Sequence, residues 1–398
     1  ILTLFPYTTL FRSDGYMNLK NREIQACTII DGIQDELKSI SLFLHNNPEL
    51  GQQEVRAVQT ISRYMEQHGF DTTVGLTTCP ELRTAMRSDI GLDRLHKMAF
   101  LGEYDALPEL GHGCGHNLIA IMSMGAAIAF SQTARDTWGT TFFGCPAEET
   151  IGGKVFMANE GLFKGYDGAL IIHPGGGNEV GGTSLATHPL EVTFHGRSCH
   201  IASLTDSGIN ALDCAVDLYQ SIKMMKQDIF PKGAIVGAIF TQAGTAPNVV
   251  TDKATLRMTV RGATVSDLED IILPAIKAEA NRIATSYGAT VDMHHYEPLF
   301  KDMRQDERLV SLFDEVMTEF GESPRKLPPD EADGSTDVGN VSYEVPTAQP
   351  TLNIGNQLEA HTPEFACAAG SPYGLDQAIK GAKIMAVVAL RYAESLEV

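Results

Sequence analysis

The sequence predicts an α/β fold carrying an inserted α+β unit, on three observations. Apolar strand-length segments alternate with helix-length segments up to residue 172, the order changes to βαββαβ between 187 and 298, and helix and strand signals resume from 307. At about 100–200 residues per domain, a chain of 398 residues has room for two such units.

Ile24, Ile29, Ile30, Ile33, Leu37, Ile40 and Leu44 recur at helical spacing, which predicts a helix over 24–44. A second helix is expected over 53–67, after the Asn/Pro/Gly break at 46–51. Strands follow at 97–101 (KMAFL), 138–144 (WGTTFFG) and 168–172 (GALII), with helices at 117–134 and 153–163 between them. Each strand ends where polar residues begin, at 103–108, 146–149 and 173–177. Strand carboxyl ends are where open α/β sheets gather their chemistry.

Within 187–298 the sequence reads as strand 190–195, helix 208–226, strands 234–240 and 254–261, helix 265–285 and strand 289–295. This hairpin-centred unit of about 110 residues is long enough to hold its own core. Beyond it come a helix at 307–320, a Gly/Pro/Asp-rich loop at 321–340, a strand at 348–354 and a closing helix at 372–394. There is no internal repeat and no sustained heptad.

Hydrophobic residues make up 43% and charged residues 20%, the usage of a soluble globular enzyme, which excludes a disordered or fibrous chain. Fifty acidic against 30 basic residues give a net charge of -20, which repels phosphate backbones and anionic lipid. Neither nucleic acid nor a membrane is therefore expected as a partner. Seven scattered cysteines argue against a disulfide framework and for a reducing, cytoplasmic location. Residues 1–13 lack the basic and small-residue features of a signal peptide. Residues 3–13, TLFPYTTLFRS, match the translation of a DNA sequencing adapter, so 1–16 are expected to be a non-native leader before a start at Met17.

Four features carry chemistry. In Gly111-His112-Gly113-Cys114-Gly115-His116-Asn117 a thiol and an imidazole two residues apart sit on a glycine-relaxed turn opening a helix, where both can converge on one cation. A plain Gly-rich turn with a buried Cys is the structural alternative. Pro146-Ala147-Glu148-Glu149 leaves a buried strand, so one carboxylate can bind a metal while its neighbour shuttles a proton. A solvated glutamate pair in the first turn of a helix is the alternative. His173 ends an apolar strand before Pro174 and three glycines, and His361 lies in a polar loop. Together Cys114, His116, Glu149, His173 and His361 form a ligand set for one or two divalent ions, on softness Zn²⁺ and alternatively Mn²⁺ or Co²⁺.

The order Leu44-His45, Pro48-Glu49-Leu50, Asp105-Ala106-Leu107-Pro108, HGCGHN, PAEE, a strand-end His, a βαββαβ insertion and a late His resembles the M20 metallopeptidase family. The similarity covers residues 23–396 and is greatest to the amidohydrolase and aminoacylase branch. HGCGHN, Ser335-Thr336-Asp337-Val338-Gly339 and Val345-Pro346-Thr347 are similar to its dipeptidases and p-aminobenzoyl-glutamate hydrolase subunits.

The resemblance implies a metallopeptidase-type mixed sheet flanked by helices, with a catalytic domain in two parts, 17–186 and 299–398. Residues 187–298 would be an inserted lid and dimerisation domain, giving a homodimer. It places Cys114, His116, Glu149, His173 and His361 on the metal ligands and Glu148 on the general base. His200 falls on the histidine that stabilises the oxyanion from the partner subunit, Asn248 on a substrate-contacting asparagine, and Arg261 on a clamp for a substrate carboxylate. As alternatives, His200 is an exposed turn residue, Asn248 a loop cap and Arg261 a surface ion partner. His112 and Asp105 either orient ligands from behind or serve local roles, facing solvent and capping a turn respectively, while His45 anchors the first helix. Asn117, Ile151 and Asn340 depart from the family pattern where residues line or support the pocket.

The activity implied is hydrolysis of a small dipeptide of Xaa-Arg, Xaa-Lys or β-alanyl type by a metal-activated water. The alternatives are a p-aminobenzoyl-glutamate or N-acyl amino acid amidohydrolase, and a non-catalytic metal-binding subunit.

Overall fold

Strand Trp138–Cys145 is buried along its whole length because it lies inside a six-stranded sheet with helices over its face. The computed structural model describes residues 19–202, 208–332 and 334–397, so the expected leader lies outside the described residues. The sheet runs Asp71–Val74, Met86–Ile90, Trp138–Cys145, His96–Glu103, Gly168–Leu170, Thr347–Ala348. Its last four strands are mutually parallel, and the first two are added antiparallel. The sheet is therefore mixed, and the first two strands, short and partly polar, carry no period-2 apolar signal in the sequence.

Helix His116–Thr133 is apolar on every side, and it packs between the sheet and helices Asn21–Asn46 and Pro372–Leu396. A helix without a polar face is stable only when surrounded. Its first residue, His116, is thereby fixed at the carboxyl edge of strand His96–Glu103, beside the loop after Trp138–Cys145.

The inserted unit is an antiparallel sheet ordered Ile235–Ala243, Lys253–Gly262, Leu190–His195, Thr290–His295, with Ala186–Thr187 also paired to Lys253–Gly262. Helices Ala211–Asp228 and Leu273–Tyr287 cover one face, where Leu190, Val192, Phe194, Leu256 and Met258 form a hydrophobic core separate from that of the main sheet. Where the chain enters and leaves, Thr187 and Phe300 exchange two backbone hydrogen bonds of 2.9 Å.

A third sheet, Arg325–Ala332, Glu179–Thr183, Thr351–Asn353, His173–Gly175, corrects the expected loop at 321–340. Pro328 and Pro329 mask that strand in the sequence, but it lies at a sheet edge, where proline's missing N–H costs nothing, and its register breaks between Leu327 and Ala332. The expected strand at 348–354 is split in two around Pro350. The expected helix at 265–285 opens with a π-helical turn, Asp267–Ile272, and the one at 153–163 ends at Asn159.

Candidate metal centre and active site

Gly115 turns the chain into helix His116–Thr133 with φ +74°, and a Cβ there would meet Pro174 Cγ at 2.6 Å. This close approach lays the turn holding Cys114 against the strand beginning at His173, and Cys114 Sγ lies 3.5 Å from His173 Nε2. His173 Nδ1 donates to the Pro174 carbonyl at 2.7 Å, which leaves Nε2 as the lone-pair nitrogen facing the sulfur. His361 is docked through its own backbone, its N–H donating to Gly113 O at 2.9 Å, in a left-handed conformation of φ +64°. Its Nε2 then lies 3.2 Å from Glu149 Oε1.

Asp105 completes the frame from strand-end position. Its Oδ1 accepts from His116 Nδ1 at 2.8 Å, and its Oδ2 accepts the Glu149 N–H at 3.0 Å. The alternatives of orienting residue and turn cap are thus decided for the former. His116 Nε2, the nitrogen left over, is buried without a hydrogen-bond partner, as is Glu149 Oε1. It lies 3.3 Å from Glu103 Oε2, 3.9 Å from Glu149 Oε1 and 4.0 Å from Glu148 Oε2.

Donor atoms of Cys114, His116 and His173 lie within 4.8 Å of one another, as do those of Cys114, Glu149 and His361, and those of His116, Glu148 and Glu149. The first two groups share the sulfur. Thiolate, imidazole and carboxylate donors with lone pairs turned inward, two of them orphaned, fit divalent cations of the Zn²⁺ or Mn²⁺ type. Without such a cation, burial pushes the Cys114 thiol up to about 12. Burial also disfavours charge on His116, but the Asp105 and Glu103 carboxylates outweigh it and hold its pKa well above the ordinary value. Burial, with Glu103 and Asp337 nearby, raises Glu148 well above a usual carboxylate, the direction a proton shuttle requires.

Glu148 owes its position to a kink. Ala147 has φ +57°, and its N–H donates to Glu54 Oε1 at 2.8 Å while Thr84 Oγ1 donates to Glu54 Oε2 at 2.8 Å. Burial, with Asp105 near, pushes the Glu54 carboxyl up to about 7. Behind His116 lies Lys154, wholly buried, its Nζ 2.6 Å from both Glu103 Oε1 and Asp337 Oδ1. Sequence reasoning assigned no role to Glu54, Glu103 or Lys154, and marked Asp337 only as part of a motif. The available signal was a lysine in an otherwise apolar Gly-Gly-Lys-Val-Phe stretch, a residue that is almost never buried unless paired.

The cavity over these donors measures about 280 Å³ and is lined by Cys114, Glu148, Glu149, His173 and His361 together with residues of the third sheet. His200, Asn248 and Arg261 do not line it. His200 and Asn248 are exposed neighbours on the inserted unit, where His200 pairs with Val249 and the Ile201 N–H donates to Asn248 O at 3.1 Å. Arg261 is half-buried on strand Lys253–Gly262, opposite Thr187 and Ile235. His112 is buried and stacked on His45, whose Nε2 bonds Ala366 O at 2.9 Å, so it does not face solvent. Asn117 bonds Ser41 and Ala369, and Asn340 bonds Leu299 and Lys301, so both support the surroundings of the cavity without lining it.

The profile of peptidase family M20/M25/M40 matches residues 99–391. The chain is 31% identical to an Xaa-Arg dipeptidase of Mus musculus, over 92% of this chain and 88% of that one. It is 30% identical to a p-aminobenzoyl-glutamate hydrolase polypeptide of Escherichia coli, over 61% and 54% respectively. Among solved structures, a Bacillus subtilis dinuclear metal-binding peptidase of the M20 family superposes with a TM-score of 0.65 at 21% identity, covering 88% of this chain and 98% of that one.

Proposed function

We propose, from the premise that the chain belongs to peptidase family M20/M25/M40 and is a hydrolase of amide bonds, that it is a metal-dependent dipeptidase of Xaa-Arg, Xaa-Lys or β-alanyl type. The observation that carries the reading is the Cys114 sulfur shared by two three-donor groups, with Glu148 beside them. Cys114, His116 and His173 would hold one divalent ion, and Cys114, Glu149 and His361 a second, with Zn²⁺ first and Mn²⁺ or Co²⁺ as alternatives. When bound, such ions supply Lewis acidity to the attacking water and the scissile carbonyl.

Glu148 takes a proton from the attacking water and returns it to the nitrogen of the leaving amine. Its raised pKa suits it to hold that proton between the two events. Asp105 fixes His116 in one tautomer, Nδ1 protonated and Nε2 inward.

Residues 17–186 and 299–398 would form the catalytic domain and 187–298 a lid through which two copies pair. Supporting this, strand Ile235–Ala243 is a sheet edge with Ile235, Ile239 and Phe240 exposed, an arrangement suited to strand pairing. His200 would then stabilise the oxyanion in the partner's cavity, Asn248 would contact the substrate there, and Arg261 would clamp a substrate carboxylate on lid closure. The second reading, an amidohydrolase of p-aminobenzoyl-glutamate or N-acyl amino acids, draws on the Escherichia coli relative.

The deciding experiment incubates protein from Met17 with Zn²⁺, Mn²⁺ or Co²⁺ and a panel of β-alanyl-lysine, an aminoacyl-arginine, p-aminobenzoyl-glutamate and N-acetyl amino acids. Chelator-sensitive cleavage of the dipeptides is expected. Cleavage of p-aminobenzoyl-glutamate or N-acetyl amino acids alone would establish the second reading, and chelator-resistant cleavage would refute the metal mechanism.

A further inference from the structure

Away from the cavity, each of the two connections to the inserted unit carries a histidine. His188 lies between strands Ala186–Thr187 and Leu190–His195, and His295 ends the returning strand Thr290–His295. Their rings stack with centroids 3.4 Å apart and planes 13° apart. His188 Nδ1 donates to Glu269 Oε1 at 2.7 Å. His295 Nδ1 donates to Pro189 O at 3.0 Å, so its Nε2 carries the lone pair and accepts from Lys277 Nζ at 2.9 Å. His295 is therefore held neutral, because a proton on Nε2 would meet an ammonium instead of an acceptor. Burial, with His188 and Lys277 close by, lowers its pKa from the ordinary value. Of the other charged groups around the pair, Glu269 belongs to the π-helical turn and Lys277 to helix Leu273–Tyr287. Strand Lys253–Gly262, bonded to the His188 N–H through Val260 O at 3.1 Å, brings Arg261 opposite Thr187. Glu191 and His294, 3.6 Å apart, sit at the alternate strand positions and so on the other face of the sheet.

The stack stands at the joint between the two units, beside the paired backbone bonds of Thr187 and Phe300. The cleft between the units is walled by Gly233 and Thr264 on one side and by Thr183, Met303 and Gln305 on the other, and the last three also line the donor cavity. A change of angle at the joint therefore changes the width of the way into that cavity. We propose that the His188–His295 stack is an acid-sensitive latch on this joint: with His295 neutral it clamps the incoming and returning connections together, and uptake of a proton on His295 Nε2 releases it. The protonated ring would face the Lys277 ammonium at hydrogen-bond distance, a repulsion relieved when the rings part. A freed ring takes up the proton that the clamped ring excludes, so the latch is closed above pH 6.5 and opens progressively as pH falls below it.

Hydrogen exchange of the full chain, read at the Thr187, His188 and Phe300 amides that bond across the joint, tests this directly. Between about pH 7.5 and about pH 5.5, protection at these amides should fall about tenfold after correction for the intrinsic exchange rate, the effect of one proton taken up on opening. Amides of Leu256 and Met258, inside the core strand of the inserted unit, should keep their protection. H295F keeps a ring in the stack but cannot titrate, and its joint protection should not change with pH. K277M leaves both rings in place and removes the ammonium that opposes the proton, so the fall should shrink. Joint protection in the wild type that does not change with pH would overturn the latch. So would an undiminished fall in both variants, or an equal fall at Leu256 and Met258, which would mark general acid unfolding. None of these readouts uses catalysis, so failure of the latch leaves the hydrolase reading untouched.

Discussion

Asp105 Oδ1 lies 2.8 Å from His116 Nδ1, and the other oxygen of the same carboxylate accepts the Glu149 N–H at 3.0 Å. One buried side chain thus sets the ring of one candidate ligand and the backbone of another. Replacing it by Asp105→Asn keeps the size but weakens the bond that fixes the tautomer. Metal affinity, read by chelator competition, should fall about 10- to 100-fold, the usual cost of losing such a partner. Unchanged affinity would show that His116 is oriented by packing alone.

Glu148→Gln removes the proposed proton carrier and retains the shape. Turnover should drop about 100-fold or more while metal content stays at the wild-type level. Measuring both on one preparation separates a lost base from a lost metal, and activity within a few-fold of wild type would reject the assignment.

The Lys154 ammonium serves two buried carboxylates, Glu103 and Asp337. Lys154→Met strands both, and removing one partner of a buried ionic group costs about 3–5 kcal/mol. Urea unfolding should register that loss. The triple variant Glu103→Gln, Lys154→Met, Asp337→Asn leaves no stranded charge and should recover most of it. If the triple variant is no more stable than the single one, the charges are not what the lysine contributes.

Glu54 provides a pH signature. Its carboxyl is raised from 4.5 to about 7 by burial, so the folded state holds a proton there that the unfolded chain has released. Folding then binds more protons than unfolding between those values, and stability contributed by the neutral form is present below pH 4.5 and lost as pH rises through 7. The full loss amounts to about 3 kcal/mol. Comparing wild type with Glu54→Gln by denaturant titration across this window should show a flatter profile in the variant, and parallel profiles would place the raised pKa elsewhere.

The long elements and the candidate donors are legible in the amino-acid sequence. Residues 24–44 and 372–394 carry enough periodic apolar positions to specify helices, and these are found as Asn21–Asn46 and Pro372–Leu396. Cys114, His116, Glu148, Glu149 and His173 stand in or beside Gly- and Pro-punctuated turns at strand ends, where the local pattern already marks the sheet edge as the place for chemistry. How those candidate donors come together is a matter of tertiary packing. His361 comes nearly 250 residues after Cys114 in the sequence, and it reaches the site through one backbone bond to Gly113. The support behind the donors was illegible for the same reason. Lys154 and Asp337 are 183 residues apart, and neither shows in sequence that the other neutralises it, because burial and long-range pairing of charge are properties of packing. Strand Arg325–Ala332 was hidden too: its prolines argue against a strand everywhere except at a sheet edge, and an edge exists only once the sheet has formed.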